Sequence, residues 1–303
     1  MIRKSGANVL FQDKVFYACN YVFWVIILLV TLYPLYFILI ASFSDAYDVL
    51  AGRVTIWPVG FTTLGYETLV GFNQLWRSYA NSIFYTITGT AMGLALTLMA
   101  AYATTHNFFG KAVFNFIIIF TMFFSGGLIA TWLVIKDILR LYDTPLIMII
   151  TGPTVWNLMI TRVFIKTTIP EELYEAANLD GASHFQYFSK VVLPLCGTIT
   201  AVLCVYIGVS LWNDYFGGLI YIRRQELLPL QTVLRTILAS LQVQNADLVN
   251  MYLDNQEEYT SAIRKAEVAK YCIIVVSTAP AVLLYIAMQK YFVKGVMIGS
   301  IKG

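Results

Sequence analysis

The chain has 303 residues, of which 59% are hydrophobic and 12% charged, far from the roughly one quarter charged of a water-soluble domain. Its net charge of +3 and pI near 8.5 come from scattered basic residues, which excludes the clustered Lys and Arg of a nucleic-acid surface. Apolar residues gather in long runs, so the chain is predicted to be an all-α membrane protein, with a tail over 1–14 and one transmembrane domain over 15–303.

A span needs about 20 mostly apolar residues, because each adds only about 1.5 Å toward a hydrocarbon layer roughly 30 Å thick. Six stretches qualify, near 15–43, 79–105, 112–135, 144–165, 197–221 and 270–292. The first exceeds a signal-peptide core and has no convincing small-residue cleavage site, so it is expected to remain as an anchor. Arg3, Lys4 and Lys14 precede it while Asp45, Asp48 and Arg53 follow it, which favours an N-terminus on the cytoplasmic side. Six crossings then return the C-terminus, with Lys290, Lys294 and Lys302, to that side, although Lys and Arg summed over all loops are nearly balanced. In this orientation 166–196 is cytoplasmic, and 44–78 and 222–269 are external. Pro34, Pro153 and Pro280 lie inside spans, where each removes a backbone donor and favours a kink. Gly89 and Gly93 form a GxxxG pair, expected to serve packing within the bundle.

The cytoplasmic loop is the most informative segment. Thr168 and Glu171 have capping-box spacing, Pro170 suits a first helical turn, and Glu171 and Glu172 suit the positive end of the helix dipole. Leu173, Ala176, Ala177 and Asp180 then share one face, and Gly181 can take the left-handed geometry that stops a helix. Ser183 with Gln186 offers a second cap. Phe185, Phe188 and Val192 are expected to line one side of the next helix, which Pro194 interrupts. Two short helices about a turn suit either a solvated connector or a knob that docks into another protein.

Residue identities favour the knob. Glu175-Ala176-Ala177, then Asp180-Gly181-Ala182 and Leu193-Pro194, preceded by Ile169-Pro170-Glu171-Glu172-Leu173, resemble the EAA loop of ABC importer permeases. A second proline usual in that loop is absent, Thr198 standing near its place. Pro34-Leu35-Tyr36, Ser42-Phe43-Ser44, Asn81-Ser82 and Trp212-Asn213-Asp214-Tyr215 extend the resemblance to carbohydrate-uptake permeases of the maltose type, in particular the second, six-span subunit. Phe123 to Ile129 and Asn157 to Arg162 resemble a branch that imports oligosaccharides or polysaccharide fragments. The resemblance implies the type I importer permease fold in a bacterial cell membrane, with both termini cytoplasmic. It also implies a second homologous permease and two ATPase subunits that bind ATP and Mg, leaving no cofactor on this chain. An extracellular solute-binding protein would deliver the saccharide. Glu175, Ala176, Ala177, Asp180, Gly181, Ala182, Phe185 and Pro194 would carry the contact with the ATPase, and Gln242 to Ser261 would face the binding protein.

No GxxxxGK[ST] phosphate loop is present, so ATP must bind elsewhere. No Ser-His-Asp, Cys-His or paired-carboxylate arrangement is visible, and the chain is expected not to be an enzyme. Cys19, Cys196, Cys204 and Cys272 lie in apolar runs without metal or disulfide spacing and read as small buried hydrophobes. His106 and His184 flank different spans, so no metal site is expected. Polar groups at membrane depth need a partner or an aqueous cavity, which makes Asn157, Asn213 and Asp214 candidates for a solute path. Trp156, Trp212 and Tyr215 could stack on sugar rings beside them, or could anchor the helices at the interface. An ion-coupled transporter and a membrane assembly or signalling protein remain as alternatives, although intramembrane acids for ion coupling are few.

Overall fold

The computed structural model describes residues 11–150, 154–239 and 256–300. Arg3, Lys4, Pro153, Lys302 and positions 242–255 of the segment expected to face a binding protein lie outside the described residues. In chain order the helices are α1 (Phe11–Ala41), α2 (Ala46–Leu50), α3 (Leu64–Val70), α4 (Asn73–Thr105), α5 (Lys111–Phe123) and α6 (Gly127–Leu133). A π-helical turn, Val134–Ile138, extends α6, and α7 (Pro145–Ile149), α8 (Val155–Thr168), α9 (Glu171–Leu179) and α10 (His184–Tyr187) follow. After a second π turn, Phe188–Val192, come α11 (Leu193–Leu195), α12 (Gly197–Trp212), α13 (Tyr215–Tyr221), a 3-10 turn at Gln225–Leu227, α14 (Leu230–Ala239) and α15 (Gln256–Ser300). No strand occurs among the described residues.

Each of the six apolar stretches contains helix, and three are unbroken elements: Asp13–Ala41, Asn73–Thr105 and Ala266–Gln289 are each long and apolar enough to cross a bilayer. Neither Pro34 nor Pro280 ends its helix. The stretch read as 112–135 is instead a bent pair, Lys111–Phe123 and Gly127–Ile138, turning by 118°. Hydropathy runs straight through this break, but Gly127, at φ 74°, takes a backbone conformation that a side chain resists. The stretch 197–221 divides at Asn213 and Asp214, and 144–165 is two helices, α7 and α8.

Contacts divide the chain into two compact units, one of Met1–Gly71 with Leu241–Val275 and one of Phe72–Ser240 with Val276–Gly303. In the first, α1 is exposed along nearly its whole length, as expected of a helix apolar all round whose solvent is lipid. Cys19 is therefore exposed, against the expectation that all four cysteines are buried. The end of α1 is fixed by Ser42-Phe43-Ser44. The Ser44 hydroxyl donates to Ile40 O at 2.7 Å and accepts from Val59 N at 3.3 Å, and Phe43 stacks on Phe61 at 5.8 Å. The Cys272 thiol donates to Ser42 O at 3.4 Å, tying α15 to the same corner.

The second unit is built on α4. Its buried stripe runs through Leu75, Ser82, Tyr85, Gly89, Gly93, Thr97 and Ala101, mostly small residues that let other helices approach. A Cβ at Gly89 would come within 2.8 Å of Leu211 Cδ1 on α12 and 3.3 Å of Ile149 O on α7, so Gly89 of the GxxxG pair packs within the chain. At the start of α4 a row of side chains holds the segment after α13. Asn81 Nδ2 donates to Glu226 O at 2.8 Å, Tyr85 OH to Leu227 O at 3.0 Å, and Ser82 Oγ accepts from Leu230 N at 2.7 Å. Nearby, Asp143 clips the loop before α7 to the end of α13. The backbone N–H groups of Arg224 and Arg223 and the Arg224 guanidinium hold its carboxyl below the usual carboxylate range.

Ser82 and Leu230 are both buried, so Ser82→Ala would leave the Leu230 N–H without its acceptor. A cost of about 1–2 kcal/mol is expected, read as a lower apparent Tm in detergent.

Candidate functional site

The loop between α8 and α12 is folded from local signals. Residues before proline avoid the helical region, and Ile169 is accordingly extended at φ −100°, ψ 114°. Thr168 therefore ends α8 instead of capping the next helix, and Pro170 takes the cap position of α9 without a side-chain hydrogen bond. The expected Thr168–Glu171 capping box does not form. At the far end of α9, Gly181 adopts φ 73° and the Ala182 N–H bonds Ala177 O at 2.9 Å, closing the helix. The second capping box forms as expected: the Gln186 N–H donates to Ser183 Oγ at 3.3 Å and the Ser183 N–H to Gln186 Oε1 at 2.8 Å. Pro194 lies in the first turn of α11, and the helix axis turns by 80° between His184–Leu195 and Gly197–Trp212.

This loop has two faces. Tyr187 and Val192 are buried in one cluster with Leu98 and Ala101 of α4, Ile165 of α8 and Leu203 of α12, with Tyr174, Ala177 and Phe188 packed against it. The opposite face is apolar and uncovered. Leu179 is 90% exposed and Phe185 73% exposed, with Leu173, Glu175, Ala176, Asp180 and Gly181 also exposed beside them. Ala176 and Asp180 thus share an outward face, while Ala177 and the half-buried Ala182 lie nearer the core. Phe185 does not join Phe188 and Val192 on one side as expected. The inward side of α10 is set by Tyr187, and the π turn after it shifts the phase of Val192.

An aromatic group ties the loop to the end of α4. The His106 ring lies 4.6 Å from that of Tyr102, 4.7 Å from Tyr174 and 5.3 Å from His184, while Tyr187 and Tyr174 meet edge to face at 5.2 Å. The sequence separates His106 from His184 by the five helices α5 to α9 and gives no sign of this meeting. Burial pushes the His106 pKa below its ordinary value, and the neighbouring His184 and Lys111 add to the effect while Glu171 opposes it.

The candidate solute-path residues are scattered in role. Trp156 is exposed, and Asn157 is buried with its backbone N–H on the Thr154 hydroxyl at 3.3 Å. Trp212 is buried, donating from Nε1 to Ser277 O at 2.7 Å and meeting Tyr79 edge to face. Asn213 is exposed at the end of α12, and Asp214 caps α13 by accepting from Gly217 N at 2.7 Å. Tyr215 lies under the Arg235 guanidinium at 4.4 Å.

Residues 93–298 match the family model described as the binding-protein-dependent transport system inner membrane component. The chain belongs to this family. Protein LplC of Bacillus subtilis (strain 168) is 34% identical over 294 residues, spanning 96% of each chain. The polygalacturonan/rhamnogalacturonan transport system permease protein YtcP of the same organism is 29% identical, over 96% of this chain and 100% of that one. A crystal structure of a bacterial ABC transporter involved in the import of the acidic polysaccharide alginate contains a chain that superposes with a TM-score of 0.79 at 31% identity. The match covers 96% of this chain and 100% of that one. The protein is thus a multi-pass membrane permease with the type I importer fold, and the segment whose sequence resembles an EAA loop lies within 166–196.

Removing the loop's central cap by Ser183→Ala should cost about 1 kcal/mol locally, read as faster hydrogen exchange in α10. The pH dependence has a definite sign. Because His106 is harder to protonate when folded, its stabilising contribution is complete above about pH 6.5 and declines as pH falls through that value and below. Protection of α9 and α10 should therefore weaken between about pH 7.5 and 5.5, and less so in His106→Gln, with His184, Lys111 and Glu171 unchanged.

Proposed function

We propose that this permease is one of two paired, homologous permease subunits of an ATP-driven saccharide importer, and that it takes its driving force from a separate ATPase docked on the EAA loop. The observation that carries this reading is the loop's division of labour, an exposed apolar tip at Leu179 and Phe185 and an inner face packed into α4, α8 and α12. Apolar side chains exposed on a polar connector mark a protein-binding surface. ATP and Mg belong to the ATPase, one copy per permease, and this chain performs no chemistry on the sugar. An extracellular binding protein delivers the saccharide to the opposite side.

The two faces are supported by α4. The EAA loop packs at its C-terminal end, whereas the segment of Glu226 to Leu230 is bonded at its N-terminal end. A helix of 33 residues is about 50 Å long, enough to separate two sides of a bilayer. We assign the loop and both termini to the cytoplasm and the stretch 222–269 to the outside. The second permease would cover α5 and α6, which contain no buried residue and break at Phe124–Gly126. Irregular backbone at membrane depth needs protein or a water-filled cavity beside it.

The relatives' names support a saccharide: polygalacturonan and rhamnogalacturonan for one, arabinooligosaccharides for another, and alginate for the solved transporter. An oligosaccharide or polysaccharide fragment is the substrate class we assign. Trp156, Asn157, Trp212, Asn213, Asp214 and Tyr215 form the proposed path. Trp212 and Asp214 shape it through the bonds they already make, and Trp156, Asn213 and Tyr215 have ring or amide surface to offer sugar hydroxyls.

Gly181 tests the docking assignment. A Cβ there meets nothing within 4 Å, so Gly181→Ala carries only the left-handed backbone cost of about 1–2 kcal/mol. Gly181→Arg adds bulk and charge to the exposed tip. In the assembled complex, the Arg variant should lose most of the ATPase activity stimulated by liganded binding protein, and most uptake, while the Ala variant retains most of both. Wild-type coupling in Gly181→Arg would remove the assignment.

A further inference from the structure

Behind the EAA loop lies a cavity of about 610 Å³ that the coupling function does not use. It forms where three helix ends meet, α4 at Thr105, α5 at Lys111 and the last turn of α8 at Lys166, with α9 and α10 as its remaining wall. Its lining joins the cations Lys111 and Lys166 with His106 and His184 and the hydroxyls of Tyr102 and Tyr174, and Glu171 is its one carboxylate.

The cations here lack anionic partners. Lys111 Nζ donates only to neutral oxygens, Thr105 O at 3.2 Å and Asn107 Oδ1 at 3.1 Å. Arg162, one turn before Lys166, reaches across to Asn115 Oδ1 on α5 at 3.3 Å. None of these three cations makes an ion pair among the described residues. His106 Nε2 is buried without a hydrogen-bond partner. An anion with several acceptor oxygens would neutralise such a group, and Lys and Arg clusters beside hydroxyls are suited to phosphate.

The surroundings choose between sources of phosphate. The cavity sits where apolar helices give way to polar residues, which in the cytoplasmic orientation proposed above, on which this inference rests, is the level of lipid headgroups. From its rim, α5 runs off with Val113, Phe116 and Ile117 exposed. Basic pockets between helices at this level bind anionic lipid headgroups, and apolar side chains alongside accommodate acyl chains. We propose that this cavity binds the phosphodiester headgroup of an anionic phospholipid, held by Lys111, Lys166 and the two histidines, with its acyl chains along α5. A lipid in this position braces the EAA loop against the membrane from behind, leaving its outer tip free for the ATPase.

The test uses the full-length chain extracted from vesicles of equal parts phosphatidylglycerol and phosphatidylcholine, with retained lipid counted by native mass spectrometry. Wild type should carry phosphatidylglycerol in preference to phosphatidylcholine. The double variant Lys111→Gln with Lys166→Gln should retain it about tenfold or more weakly, and Glu171→Gln, which removes the opposing charge, should retain it more tightly. Should the double variant fail to fold, Glu171→Gln decides alone. Millimolar inorganic phosphate should not displace the lipid. Displacement by inorganic phosphate would overturn the lipid assignment in favour of a soluble phosphate. Equal retention of the two lipids by wild type, or no change in Glu171→Gln, would overturn the site itself. Because lipid retention is measured without nucleotide or ATPase, its failure is separable from failure of the docking assignment.

Discussion

The packing of Tyr187 and Val192 among Leu98, Ala101, Ile165 and Leu203 is the contact on which the molecule depends. It places side chains from the loop between α8 and α12 and from α4, α8 and α12 in one core. A side chain buried this fully stabilises by about 1.5–3 kcal/mol, and close-packed interiors transmit strain with little give. The loop is therefore an outgrowth of the helical bundle and not a tether hung from it. A push on its outer face has no soft linker in which to dissipate before it reaches three helices.

The same helix that packs against the loop holds a second segment at its other end. Asn81, Ser82 and Tyr85 hold the carbonyls and N–H of Glu226 to Leu230 from the start of α4, while Tyr102, near its end, bonds the loop before α12 through the Tyr102 hydroxyl and His184 at 3.3 Å. Both attachments are hydrogen bonds or aromatic contacts on one continuous helix without a proline. That continuity distinguishes α4 from the broken elements around it. Bent pairs such as α5 with α6 leave backbone groups that neighbours must cover, so they depend on partners where α4 does not.

Much of this was legible in the sequence because it rests on local chemistry. The Ser183–Gln186 cap and the Gly181 stop are decided within a few residues, and both form in the fold. The Thr168 cap failed for an equally local reason, since the constraint that proline puts on Ile169 moves the break one residue past Thr168. Breaks inside apolar runs were missed because hydropathy averages over them; Gly126-Gly127 and Asn213-Asp214 were the available signals. The approach of His106 to His184 had no sequence signal at all. It arises from how α4 and α10 meet, which periodicity does not encode.

The π turn at Phe188–Val192 separates the loop's outer and inner faces. An inserted residue shifts the helical phase, so the exposed Phe185 and the buried Val192 point to different sides although only two turns separate them. The 80° bend that follows lays His184–Leu195 across the direction of α12. A straight helix of the same sequence would carry both residues along one axis, and force at its tip would act as compression. Lying across the axis, the short helix would act instead as a crank under the proposed docking, turning displacement at Phe185 into rotation where Cys196 and Ile199 enter the core. The phase shift and the bend are thus what would let the exposed knob act as a mechanical coupling in the proposed assembly.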